Sequence, residues 1–173
     1  MSKKIIIIGG LGYIGTELCK IYSGYSWTNK IIVIDNRFIS ERVNQIRNWN
    51  MEFVHGDILD KEIINKHCKD ADVVHHLAGI TDVPRTRNDS NETIDNKIKT
   101  IAQEGTQNIL DAISTNCKII FPSTHVVYEG IEKVHSEITE DEKLKPVLSY
   151  SSSKALNEEQ LKKSGKNYII LRL

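Results

Sequence analysis

The chain has 173 residues, 39% of them apolar, with 23 Lys+Arg balanced by 23 Asp+Glu, the size and balance of one globular domain with a substantial core. A net charge of zero gives no electrostatic reason to expect nucleic acid or an anionic membrane as partner. No stretch approaches the roughly 20 apolar residues of a membrane helix, and the apolar run behind the N-terminal lysines is too short for a signal peptide.

Ile5 to Ile8 predict a strand buried on both faces, because a sheet covered by helices needs no polar alternation. Gly9, Gly12 and Gly15 follow, and a helix is expected over Tyr13 to Tyr22. A glycine turn opening a helix presents bare N–H groups to a pyrophosphate. Two spacings fit, GxxGxxG through Gly9, Gly12 and Gly15 and GxGxxG through Gly10, Gly12 and Gly15, so the glycines alone leave the class of enzyme open. The second strand, Lys30 to Asp35, ends on a carboxylate twenty residues beyond Gly15. A carboxylate there accepts both hydroxyls of an adenosine ribose and disfavours a 2′-phosphate. NAD is therefore the expected cofactor, with Arg37 a nearby cation able to tolerate a phosphate.

The pattern continues with a polar helix over Ser40 to Arg47, a strand over Met51 to Val54, a helix over Leu59 to Cys68 and a strand over Ala71 to Leu77. After a polar loop, Ile94, Ile98, Ile101, Ile109, Leu110 and Ile113 predict one long helix from about Glu92 to Thr115. Gly105 interrupts it at a cost of about 1 kcal/mol against Ala unless packing needs the glycine. Lys118 to Phe121 is a fifth strand, Tyr150 to Lys163 a helix and Tyr168 to Leu173 a sixth strand. Strands alternating with helices in this way predict an α/β, Rossmann-type doubly wound parallel sheet in the order 3-2-1-4-5-6, helices on both faces. Residues 1–173 are expected to form one dinucleotide-binding domain.

Cys19, Cys68 and Cys117 are widely separated, which fits structural thiols in a reducing, cytoplasmic setting. The six histidines match no zinc or HExxH spacing, and His75 and His76 must point to opposite faces of a strand, so no metal is expected.

Tyr150 and Lys154 stand one helical turn apart on one face. Together with Thr124 upstream, and with the glycine turn, they give the chain a resemblance to the extended short-chain dehydrogenase/reductases, in particular the NAD-dependent epimerase/dehydratase family acting on nucleotide sugars. Asp35-Asn36 resembles that family's ribose-binding step, Asp57-Ile58 its adenine-contacting pair, and His76-Leu77-Ala78-Gly79 its HLAA segment. Gly105 to Leu110 is similar to GTxNLL, Ser123-Thr124 with Val127-Tyr128 to SS/T…VY, and Tyr150 to Lys154 to YxxSK.

The resemblance implies catalytic roles for Thr124, Tyr150 and Lys154. It implies cofactor contacts from Gly9, Gly12, Tyr13, Ile14, Asp35, Asn36, Asp57, Ile58, Leu77, Ala78, Gly79, Tyr150 and Lys154, and substrate contacts from Thr81, Arg85, Thr124 and His125. In the implied chemistry Tyr150 takes a proton from a sugar hydroxyl while hydride passes to NAD. A tyrosine has an ordinary pKa of about 10, and lowering it to about 7 requires some 4 kcal/mol of preference for the phenolate. The Lys154 ammonium is expected to supply this. His125 and Val126 stand where dehydrating members carry Asp-Glu, which disfavours dehydration. Ala102 replaces an asparagine common in the family. The resemblance further implies a smaller C-terminal substrate domain that the sequence lacks, and a homodimer through the helices beginning near Glu92 and Tyr150. Two other readings stand beside the epimerase: an NAD-binding module without turnover, and an NADP-dependent carbonyl reductase, which Asp35 opposes.

Overall fold

A computed structural model describes residues 2–81, 91–132 and 137–173. Six strands, β1 (Lys4–Ile8), β2 (Lys30–Asp35), β3 (Glu52–His55), β4 (Val73–His76), β5 (Lys118–Ser123) and β6 (Asn167–Arg172), form one sheet in the order β3-β2-β1-β4-β5-β6. All neighbours pair in parallel, with Ile5 opposite Ile31 and Val73. This is the topology that the alternation of strands and helices predicts.

The isoleucine run is continuous because β1 faces two cores. Ile6 and Ile8 enter a core completed by α3 (Lys61–Cys68), α5 (Thr106–Ala112) and α6 (Ser149–Lys163) through Ile64, Ile109 and Leu161. Ile5 and Ile7 enter the opposite core, closed by Cys19 of α1 (Tyr13–Tyr22) and by Val43 and Ile46 of α2 (Ser40–Asn48). Successive strand residues alternate faces, so helices on both sides require an apolar residue at every position. The two histidines of β4 obey the same rule: Tyr22 Oη on α1 meets His75 Nε2 at 2.8 Å, and Thr106 Oγ1 on α5 meets His76 Nε2 at 2.8 Å.

The expected long helix is divided. It consists of α4 (Glu92–Thr100), a π-helical turn (Ile101–Gly105) and α5, ending at Ala112 because Ile113 takes an extended backbone. Asn157 of α6 donates its side-chain amide to Ala102 O at 2.7 Å and to Thr106 Oγ1 at 2.8 Å. That cross-helix clasp meets the widened turn where the backbone carbonyl is exposed to it. Gly105 is a packing glycine: a Cβ there would lie 2.9 Å from Ile58 Cγ2. Strand β5 runs two residues past its expected end because Pro122 and Ser123 pair with Leu171 and Arg172 of β6. Among the described residues, the short 3₁₀ turns Ser23–Tyr25 and His125–Tyr128 carry no sequence periodicity that would announce them.

Candidate active site

The turn between β1 and α1 needs glycine for two distinct reasons. Gly9 has φ +85°, and a Cβ on it would sit 2.6 Å from Ala78 N, so the β1 turn lies directly against the end of β4. A Cβ on Gly15 would lie 2.6 Å from Gly9 O, which only glycine avoids as α1 closes onto the turn. No side chain caps α1 and no acidic residue occupies its first turn, leaving its N–H groups directed to whatever lies over the turn.

A cleft of about 710 Å³ crosses the carboxyl ends of the central strands and contains this turn, where open α/β sheets bind ligands. Gly9, Gly12, Tyr13 and Ile14 line its floor. At one end stand Asp35, Asn36, Asp57 and Ile58, and at the strand β4 side Leu77, Ala78, Gly79 and Thr81. Thr124, Tyr150 and Lys154 line the same cleft.

At the Asp35 end, one carboxylate oxygen accepts Leu11 N–H at 2.9 Å, and the other accepts Arg37 N–H at 3.0 Å and Arg37 Nε at 3.2 Å. Asn36 Nδ2 donates to Asp57 Oδ2 at 2.9 Å, tying the ends of β2 and β3 together. Arg42 reaches Leu11 O and braces the same turn.

At the other end, Lys154 Nζ donates to Pro122 O at 2.8 Å and stands 4.5 Å from the Phe121 ring centroid and 5.9 Å from that of Tyr150. Burial lowers the lysine to about 8. Burial also pushes the Tyr150 phenol above its ordinary range. The expected depression of Tyr150 by Lys154 is therefore reversed in this arrangement: the ammonium is engaged with a carbonyl of β5, and desolvation of the phenolate dominates. Thr124 is buried and its Oγ1 accepts Val126 N–H at 3.3 Å.

His125 is not among the residues lining the cleft but borders it, exposed, with its backbone N–H and its Nδ1 on the O of cleft-lining Leu173 at 2.9 and 2.8 Å. Arg85 lies outside the described residues. Lys97 and Ile101 also line the cleft. They are one turn apart on a helix face, a spacing visible in the sequence, but a lysine in that pattern reads as an ordinary solvated position. Among the described residues no group of three His, Cys, Asp or Glu side chains could hold a metal ion, and no helix is long and apolar enough to cross a membrane.

A doubly wound sheet with a glycine turn, a strand-end acid and a Tyr/Lys pair around one cleft defines a Rossmann-type nucleotide-binding domain of the short-chain dehydrogenase/reductase kind. Residues 5–173 match the NAD dependent epimerase/dehydratase family, and the chain belongs to it. It is 34% identical over 149 residues to the CDP-paratose 2-epimerase of Salmonella typhi, covering 79% of this chain and 41% of that protein. Among solved structures it is similar to a UDP-N-acetylglucosamine 4-epimerase from Methanobrevibacter ruminantium in complex with UDP-N-acetylmuramic acid. That match has a TM-score of 0.78 at 27% identity and covers 99% of this chain and 54% of the other. The UDP-glucose 4-epimerase of Brucella ovis in complex with NAD gives 0.77 at 26%, covering 99% and 51%. The chain thus spans about half the length of the relatives it matches.

Proposed function

We propose that this chain is the NAD-binding, catalytic-residue-bearing part of a nucleotide-sugar epimerase. The observation that carries the reading is that one cleft joins Asp35 at its far end to Thr124, Tyr150 and Lys154 at the other, with the uncapped start of α1 between them. The residues fit a dinucleotide: the glycine turn leaves the approach to α1 clear of Cβ atoms, and the Asp35 carboxylate suits a ribose diol. When bound, NAD supplies the hydride acceptor.

In this reading Asp35 receives the adenosine ribose hydroxyls, and the Asn36–Asp57 pair borders the adenine. Lys154 releases Pro122 O and directs its ammonium at Tyr150 Oη and the second ribose. That charge reverses the effect of burial and favours the phenolate. Tyr150 then accepts the proton of a sugar hydroxyl, and Thr124 Oγ1 orients the reacting oxygen. His125-Val126, in place of an acidic pair, supports epimerisation over dehydration. The substrate side, with Thr81 and Arg85 as candidate contacts, is completed by the part of the relatives' length that this chain does not span. The outer faces of α4 and α6 are the proposed dimer surface.

The test is conversion of UDP-, CDP-, GDP- and dTDP-sugars in the presence of NAD, followed by proton NMR of the sugar. Epimer formation that falls at least about 10²-fold in Tyr150→Phe supports the reading. NAD binding without conversion of any of these sugars replaces it with a binding module that does not turn over alone.

A further inference from the structure

Among the described residues, the proposed chemistry leaves one buried acid unused. Glu158 lies on α6 one turn beyond Lys154 and two beyond Tyr150, and it is 0% exposed. Its carboxylate is saturated with donors. Ser123 Oγ reaches Oε1 at 2.6 Å, Arg172 Nε reaches Oε1 at 2.9 Å and Nη2 reaches Oε2 at 2.6 Å, and Lys162 Nζ approaches Oε2 at 3.4 Å. Burial raises this acid, but Arg172 and Ser123 together outweigh it and hold it below the usual carboxylate range. Arg172 continues outward, donating to Tyr128 Oη and to Glu140 O.

The placement of the donors gives this cluster its meaning. Pro122 and Ser123 are consecutive at the end of β5, and they clasp consecutive turns of α6: Pro122 O accepts from Lys154 Nζ and Ser123 Oγ donates to Glu158 Oε1. Thr124 is the next residue along. A buried ion pair contributes little net stability over an apolar pair of similar size, but its directional bonds fix one arrangement. Of the two clasps, only the Glu158 one can persist if Lys154 turns to a ligand.

We infer that Glu158 is a positioning residue, locking α6 to β5 and β6 through Ser123 and Arg172 so that Tyr150 and Lys154 keep their register with Thr124 when Lys154 leaves Pro122. The inference rests on the NAD reading above. It predicts an effect confined to the nicotinamide-ribose end of the cleft, because the adenine end is built from β2 and β3.

Calorimetric titration with NAD and with ADP separates the two ends. Glu158→Ala alone would strand a largely buried Arg172, so the variants are the apolar pair Glu158→Leu/Arg172→Met and, separately, Ser123→Ala, each checked by far-UV circular dichroism. The folded double variant is expected to bind ADP within about twofold of the parent and NAD about tenfold more weakly, with Ser123→Ala showing the same selectivity at about threefold. Unchanged NAD affinity, or equal weakening of NAD and ADP, overturns the inference. If the double variant does not fold, Ser123→Ala decides by the same criterion. A parent chain that binds neither NAD nor ADP refutes the NAD reading itself and removes the inference with it.

Discussion

Arg37 covers the carboxylate of Asp35: its Nε stands 3.2 Å from Oδ1 and its Nη2 3.5 Å from Oδ2, while Leu11 N–H and Arg37 N–H take one position on each oxygen. The guanidinium therefore competes with a ribose diol for the remaining lone pairs. An ion pair with one exposed partner is worth about 0–1 kcal/mol, so Arg37→Ala should tighten NAD binding by about two- to fivefold. The same change should weaken NADP, by removing the cation nearest a 2′-phosphate. Paired titrations of the variant with both dinucleotides check this, and weaker NAD binding would mean that Arg37 contacts NAD.

Two glycines of the same turn should respond differently. Gly9 combines φ +85° with a Cβ position 2.6 Å from Ala78 N, whereas a Cβ on Gly12 meets nothing closer than Gly9 O at 3.2 Å. Gly9→Ala should cost about 2 kcal/mol or more in urea unfolding. Gly12→Ala should leave the urea midpoint nearly unchanged and reduce NAD affinity at least about tenfold, because the added methyl occupies the approach to α1.

The buried histidines make stability depend on pH. Burial lowers His75 to about 4 and His76 to about 3, so both stay neutral in the fold over a range where the unfolded chain, with a pKa of about 6.5, takes up protons. The unfolded state binds more protons there, so stability is full above about 6.5 and falls as pH drops toward the folded values. Between pH 6 and 5 the slope should approach about 2.7 kcal/mol per pH unit for two groups, and His75→Phe should roughly halve it. Urea melts across that interval measure the slope.

Burial likewise raises Cys19 and Cys68 to about 12 and Cys117 to about 11. The thiolate is the reactive form, so a chromogenic disulfide reagent at pH 8 should leave all three thiols unmodified in the fold and titrate three in denaturant.

The parallel sheet is legible because Ile5–Ile8 of β1 and Ile31–Ile34 of β2 are unbroken apolar runs that end on a glycine turn and an acid, signals contained within a few residues. Gly9 and Asp35 are legible for the same reason, since they sit at strand ends that the topology brings together, whereas Asp57 and the role of Lys154 come only from the family resemblance. What the sequence concealed depends on distant partners. The π-turn at Ile101–Gly105 meets Asn157, 55 residues from Ala102, and the glycine in it faces Ile58. The raised proton affinity of Tyr150 follows from its burial, and Lys154 is held by Pro122 O, 32 residues away. Neither is visible in the spacing of Tyr150 and Lys154 alone.

Selection of NAD by Asp35 is decided by calorimetric titration of NAD and NADP into the parent chain and into Asp35→Ala. NAD should bind the parent at least about tenfold more tightly than NADP, with that preference lost in the variant. Equal affinities in the parent, or a preference for NAD that survives the loss of Asp35, would contradict it.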